Sequence, residues 1–563
     1  MKKIALTILL AISAFAAAHA QTAYDAWLFS ENNYEGTARS VAMGNAFTAL
    51  GGDLGSVGIN PAGSAVAGYS QISITPSLTF STNTAVGIPY EGSTDPYFQK
   101  KMRSRDTNFN VPNLGLVFNF ETGRTSGVKA VTFGFVMNTT NSWNENVYAN
   151  GINSNTSFLA ALASDATNEI ADLNYFKSPA EPDYTKGDYM AENAFEYMNW
   201  QNTVGYRSGM FSAFDEDGKR FAGATETVLD NGNLIQSGEV EQTYGRQVYG
   251  NKSDYIMNLG LNISDFLYLG FNLGVNSLTY DYTHYFKEAA VDQNLFENRF
   301  TDSNGYEYIT YFRNANYKHS YSAEGSGFYG KFGFILTPGA GFRFGAAIQT
   351  PTSTRIKEQW QDRATTRFSD SKFDGDAESD LGYNEYRFNS PLRANFGAAI
   401  TFGRFAVVSA DYEVAAYGRM KYKFDRHDMD QADIDYFEGI NEEIRETYGN
   451  AHYLRVGVEV KPTSTLAVRA GYNLSTSAQK KYYDAYLGDY EELVNKCGNN
   501  LSLGLGYISK KSFFADVACR YKFATDEYIY PYSDYLADYG ILSPEILNRH
   551  SNWKVLLTLG WRF

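Results

Sequence analysis

The last residues of the chain, Trp553 to Phe563, alternate without a slip. Trp553, Val555, Leu557, Leu559, Trp561 and Phe563 form one set; Lys554, Leu556, Thr558, Gly560 and Arg562 form the other. A period of two sends successive side chains to opposite faces of a strand. The second set carries charges that are costly against lipid, so the first set is expected to face lipid and the second a lumen. The pattern recurs. Leu454, Val456, Val458 and Val460 oppose Arg455, Gly457 and Glu459, and Leu466, Val468, Ala470, Tyr472 and Leu474 oppose Arg469, Gly471, Asn473 and Ser475. Phe513, Ala515, Val517, Cys519, Tyr521 and Phe523 oppose Asp516, Arg520 and Lys522, and Phe342, Phe344, Ala346 and Ile348 oppose Arg343, Gly345 and Gln349. A soluble sandwich also alternates, with its polar face in water. Here the apolar face is rich in aromatics, and the opposite face is Gly-rich with charges of both signs.

About fourteen such segments fit between residue 68 and residue 563, an even number as single-chain bacterial barrels require. Short turns at Ser264-Asp265, Thr337-Pro338-Gly339, Gly403-Arg404, Pro462-Thr463-Ser464 and Lys510-Lys511 alternate with long polar loops. Short periplasmic turns and long outer loops produce that rhythm. With 44 Tyr and 39 Phe, the chain also has the residues for aromatic girdles. The expected fold is an all-β, antiparallel outer-membrane barrel of about fourteen strands spanning 68–563. Its longest outer loops fall at 141–250 and 425–450. Each carries an apolar stripe at helical spacing: Phe158, Leu162, Ile170 and Leu173 in the first, Phe437, Ile440 and Ile444 in the second.

Residues 1–20 read as a secretory signal: Lys2 and Lys3, an apolar run from Ile4 to Ala18, then Ala18-His19-Ala20 before cleavage. The next stretch, 21–67, is unlike the rest. From Gly36 to Gly63 it is nearly uncharged and dense in small residues. Ala38, Val41, Ala42, Ala46, Ala49 and Leu50 recur at helical spacing, Gly51-Gly52 looks like a C-cap, and Asp53 opens another short turn. Asn60-Pro61-Ala62-Gly63 reads as a turn. Such a segment suits a compact plug inside the barrel.

Little in the chain suggests an enzyme. It has no G-x-S-x-G elbow, H-E-x-x-H pair or P-loop, and no cofactor or metal site is expected. A formal charge of −15 argues against nucleic acid. His284 and His319 fall near the outer ends of neighbouring strands, where haem binding is the less favoured alternative to ordinary loop histidines. Cys497 and Cys519 are placed too far apart for a disulfide. Arg343, Asp411, Glu413, Arg455, Glu459, Arg469, Asp516, Arg520, Lys522 and Lys554 should all enter the lumen, where a plug would require them to pair.

The run Ala42-Met43-Gly44-Asn45-Ala46-Phe47, followed by Asn60-Pro61-Ala62-Gly63, resembles the N-terminal hatch of the FadL/TodX-type outer-membrane transport proteins, NPA motif included. Ser390-Pro391-Leu392-Arg393-Ala394-Asn395-Phe396-Gly397, Ala410-Asp411-Tyr412, Leu454-Arg455-Val456-Gly457 and Val468-Arg469-Ala470-Gly471-Tyr472 resemble that family's later strands. The resemblance implies a fourteen-stranded barrel closed by a hatch built from Gly44, Asn45, Ala46, Phe47, Asn60, Pro61 and Ala62. It implies passive uptake of long-chain fatty acids or similar hydrophobic compounds in the outer membrane of a Gram-negative (diderm) bacterium. Release would be sideways, through an opening made by a kinked third strand. That strand is expected at 127–140, which makes Gly134 the candidate for the kink. Inward-facing Val117, Val136, Ile335, Phe514 and Leu556 are candidates to line a ligand pocket. Expected partners are the hydrophobic ligand, membrane lipid and, through Phe563, the barrel assembly machinery; the barrel is expected to be a monomer. A general porin and a structural or adhesive barrel are the alternatives.

Overall fold

The computed structural model describes residues 22–563 except 90–97, 99, 176–188, 216–218, 302–304, 425–430, 485–488, 493–496, 510–511 and 533–542. The signal segment, the Lys510-Lys511 turn and His427 lie outside the described residues. The wall is a closed, antiparallel barrel of 14 strands. In chain order these are β1 Gln71–Ile88, β2 Met102–Glu121, β3 Val128–Asn153, β4 Val240–Ile263, β5 Leu267–Ala290 and β6 Glu307–Gly339. Three strands run in two pieces each: β7 Phe342–Gln349 with Ser353–Phe368, β8 Gly382–Asn389 with Arg393–Phe402, and β9 Ala406–Ala416 with Lys421–Lys423. The wall ends with β10 Asn450–Val460, β11 Leu466–Thr476, β12 Cys497–Ile508, β13 Phe513–Ile529 and β14 Glu545–Arg562. Strand β14 pairs back onto β1 from Gln71–Arg562 to Ile88–Glu545. Closure leaves neither end strand as a free edge, which a wall in hydrocarbon requires.

The alternation read from the sequence sets the register. Val517 is 47 % exposed and Trp561 49 %, whereas Arg455 is 2 % and Asp516 4 % exposed. Leu557 is likewise exposed outward, and Arg469 and Lys554 are buried inside. Cys519 pairs with Leu503 and Cys497 with Thr476, so the two cysteines are not cross-strand neighbours, and Cys519 is free.

The outer ends extend beyond the expected limits. Strand β3 continues to Asn153 and β4 begins at Val240, so the longest loop is 154–239, not 141–250. Above the lipid band both faces are polar, as in Asn141-Ser142-Trp143-Asn144-Glu145, and the two-residue signature fades while the ladder continues. The loop carries helices α3 Phe158–Tyr175 and α4 Trp200–Arg207, and residues before β10 form helix α5 Gln431–Thr447. Phe158, Leu162 and Ile170 pack into an apolar cluster with Phe286, Phe312 and Phe368 of the strand ends. Ile440 and Ile444 of α5 join a second cluster with Phe29, Tyr280 and Tyr417.

In the α3–α4 pair, Asn202 Nδ2 donates to Asp165 (2.7 Å) and to Glu169 (2.9 Å). Burial pushes the Asp165 carboxyl up to about 6 from its ordinary 3.8 and raises Glu169 as well. An acid whose pKa is raised by folding holds its proton more tightly when folded. The loop should therefore be most stable at acid pH and lose stability as pH rises from about 4 through about 6. Hydrogen exchange, corrected for intrinsic rates, should show α3 and α4 better protected at pH 5 than at pH 8, and Asp165→Asn should flatten the difference.

Candidate functional site

Residues 23–66 occupy the lumen. Helix α1 Ala23–Ser30 is N-capped by Thr22 and lies towards the loops; helix α2 Ala38–Ala42 is capped by Thr37. The helical spacing through Leu50 does not become one helix. α2 stops at Ala42, and Gly44 (φ 63) and Asn45 (φ 61) both turn left-handed, which breaks the helix before Ala46. Short 3-10 turns follow at Gly55–Gly58 and Pro61–Val66.

The seven motif residues of the hatch are all buried. Asn45 Nδ2 donates to the Tyr34 carbonyl (2.8 Å), and Phe47 packs with Tyr34, Met43, Leu50 and Ile59 beneath the Arg39 guanidinium. Asn60 Nδ2 donates to the carbonyls of Thr48 (2.7 Å) and Phe334 (3.0 Å), while its Oδ1 accepts from Ala62 N (3.1 Å). Asn60 thus caps the Pro61 turn and ties the hatch to β6. The Pro61 carbonyl accepts from Asn258 of β4 (3.0 Å). Asn60→Ala should cost roughly 1–3 kcal/mol of hatch seating, because buried carbonyls lose their donor. Limited proteolysis of the hatch in folded barrels should read this as faster cleavage.

The wall meets the hatch with charge and with glycine. Glu459 accepts from Arg39 of the hatch (2.9 Å) and from Arg469 (2.7 Å), which also reaches Asp516 (2.5 Å). Glu413 bridges Arg393 (2.9 Å) and Arg455 (2.6 Å), and Lys554 pairs with Glu35 (2.5 Å). Asp411 accepts from Thr48 N (2.6 Å), and Lys331 and Arg343 donate to hatch carbonyls. At Gly471, Gly345 and Gly270 a Cβ would overlap hatch backbone at Gly44, Thr48 and Ala62 respectively, so these inward positions have no room for a side chain.

Strand β2 parts from β3 halfway up. Their ladder runs from Glu121–Ala130 to Asn113–Asn138. Above it, Met102–Asn110 pairs with β1, while Thr139–Asn153 of β3 pairs with β4. Pro112, which has no N–H to donate, stands at the break, and Pro76 stands opposite at the β1 irregularity. The hatch takes the vacated place: Asn33 N donates to the Thr140 carbonyl (2.5 Å) and Glu35 N to that of Thr139 (3.0 Å). The gap closes again where Ser104 Oγ donates to the Asn146 carbonyl. Phe109, on β2 beside the gap, is 66 % exposed, so an apolar outward ring stands at the level of the break, while Asn138, Thr139, Thr140 and Asn141 are buried against the hatch.

Gly134 does not mark this irregularity. It sits in regular ladder, paired with Val117 and Asn258, and a Cβ there would come within 2.9 Å of the Val117 side chain. Its smallness makes room for Val117; the break is at Asn138–Asn141. The five pocket candidates are buried but face the hatch. Val117 and Val136 pack on Leu54 and Val57, Ile335 on Ala62 and Ala65, and Leu556 on Ala38, Val41 and Ala42. Phe514 borders a small cavity of about 130 Å³ beside Arg39 and Asp516. A larger cavity, about 420 Å³, lies between hatch and wall and is lined mainly by polar groups, with Trp27, Tyr34 and Trp143 among them. It touches Ser142 and Asn144, the β3 residues that border the gap. Sequence reading missed it because its wall comes from the polar upper ends of many strands.

The rings of His284 and His319 lie 5.3 Å apart, and His319 Nδ1 is 2.7 Å from Asp362. Among the described residues, no group of three or more His, Cys, Asp and Glu could hold a metal ion.

A closed wall with an apolar outside, an ion-paired inside and an N-terminal plug defines a plugged transmembrane β-barrel. Among solved structures it is similar to a Pseudomonas aeruginosa FadL homologue, with a TM-score of 0.50, 11% identity, and 94% of this chain and 99% of that one covered. It is also similar to the P. putida toluene transporter TodX, with a TM-score of 0.50, 12% identity, and 95% and 99% covered. At such identities the likeness is one of fold: the chain has the FadL/TodX-type fold. No family model matches the chain, and no curated protein matches its sequence.

Proposed function

We propose that this protein carries small hydrophobic molecules passively across the outer membrane of a diderm bacterium and releases them sideways through the β2–β3 gap. The gap is the observation that carries the reading. A hatch that fills the lumen serves an ion or sugar porin poorly. A greasy ligand has no need of the full length of a pore, and it gains roughly 0.8 kcal/mol per methylene on leaving water for an apolar surrounding. The break between Asn113–Asn138 and Ser104–Asn146 offers such a ligand a way to the bilayer when Asn33 and Glu35 of the hatch give up their bonds to Thr140 and Thr139. On this reading the exit lies at residues 139–142 of β3 rather than at Gly134. The toluene named for TodX fits this class, as would a fatty acid.

Ser142 is the residue to alter, since it borders the gap and its hydroxyl donates to Glu35 of the hatch (3.0 Å) and accepts from Lys554 Nζ (3.5 Å). Ser142→Trp should lower uptake of toluene and of a long-chain fatty acid into proteoliposomes by tenfold or more, with the barrel still folded on unheated gels. Uptake equal to wild type for both ligands would refute the lateral route.

A further inference from the structure

We propose that the larger cavity holds a neutral, hydroxyl-rich group, of which a sugar ring is the type. The ligand class is thereby narrowed to amphiphiles with such a head, which rests on the lateral-uptake reading above. The cavity faces contain donors and acceptors with no partner among the described residues. Asn144 has neither its amide nitrogen nor its oxygen paired, and the side-chain oxygens of Asn500 and Asn552 are unpaired. Arg455, 2 % exposed, has Nε and Nη1 unpaired, and the Trp143 indole N–H is unpaired too. Native interiors leave few such atoms unmet, so several around one space point to something polar that fills it.

The charge balance selects the kind of group. Around the cavity Lys554 and Arg520 lie against Glu35, Arg455 against Glu413, and Glu145 and Glu527 against Arg246. Glu31 and Lys522 also line it, one of each sign, so the lining as a whole has no surplus charge to offer an ion. Hydrocarbon would leave every amide unmet. A hydroxyl both donates and accepts, and so suits an array of carboxamides; the faces of Trp27 and Trp143 suit the C–H faces of a ring. A volume of about 420 Å³ falls in the range of small-molecule sites. Because Ser142 and Asn144 border the gap as well, an apolar tail on such a ring could lie in the wall opening.

The test uses the full mature chain in lipid nanodiscs, titrated with glucose, hexyl β-glucoside and hexanol and followed by calorimetry and tryptophan fluorescence. Saturable binding of a glucoside or glucose, weakened tenfold or more in Asn144→Leu and Asn500→Leu, is the expected result. Hexyl glucoside tighter than glucose supports a glycolipid-type head; equal affinities support a free sugar. If a variant does not fold, displacement of hexyl glucoside by excess glucose in the wild type gives the same decision. No saturable binding, hexanol as tight as the glucoside, or variants as tight as wild type would overturn the assignment and leave a water-filled cavity. Toluene uptake measured on the same preparation judges the lateral-uptake reading separately: uptake without glucoside binding refutes only the cavity assignment, and glucoside binding without uptake refutes only the route.

Discussion

Glu413→Ala should be the most damaging single substitution in the lumen. Its carboxylate takes Arg393 Nη1 (2.9 Å), Arg455 Nη2 (2.6 Å) and Asn395 Nδ2 (3.0 Å), and all three partners are buried. Removing it strands two guanidinium groups away from water. Breaking a buried pair by deleting one partner costs about 3–5 kcal/mol, and here one deletion breaks two. Arg393 also donates to the Ser30 carbonyl (2.8 Å), so the loss should loosen the N-terminal segment as well as the wall. A large drop in the temperature at which the folded band disappears from gels is expected, with Glu413→Gln falling between the two. An unchanged midpoint would show that the lumen ion pairs do not hold this barrel together.

Gly471→Leu should turn a plugged barrel into a conducting one. A Cβ at position 471 would occupy the place of the Gly44 amide, and one at Gly457 would meet the Met43 carbonyl. Both clashes are with backbone, so no rotamer change relieves them. The wall is held by its ladders to β10 and β12, whereas the hatch, apart from its backbone bonds at Asn33 and Glu35, is seated by side-chain contacts, so the hatch should be the part that moves. In planar bilayers the wild type should pass little steady current, and the variant should show stable open-pore steps with normal assembly. Open-pore steps in the wild type would instead favour a porin.

Much of the wall was legible in sequence because lipid imposes its own pattern. The face of Leu557, Trp561 and Val517 had to be apolar, and one slip in register would have exposed Asp516 and Lys554 to hydrocarbon. The hatch was legible as a plug, through its small neutral residues, but not as a conformation. Gly44 and Asn45 both turn left-handed, and Met43 and Gly44 lie against wall glycines more than four hundred residues away, so local spacing could not show where the helix would stop. The gap had a faint local signal in Pro76 and Pro112. Its meaning depended on which strand lay next to Pro112 and on the hatch residues that replaced it. Gly134 is an inward glycine in the right strand, but it lies in regular ladder, where a Cβ would crowd the Val117 side chain. The polar cavity had no linear signature at all, since Asn144, Asn500 and Asn552 meet only once the barrel closes.

The most direct test of lateral release is time-resolved uptake of a long-chain fatty acid into proteoliposomes, comparing wild type, Ser142→Trp and Gly134→Leu at equal amounts of folded barrel. The wild type should take up ligand well above protein-free vesicles, Ser142→Trp should fall close to the vesicle background, and Gly134→Leu should lose far less. Equal rates in wild type and Ser142→Trp, or a Gly134→Leu defect larger than that of Ser142→Trp, would contradict release through the β2–β3 gap.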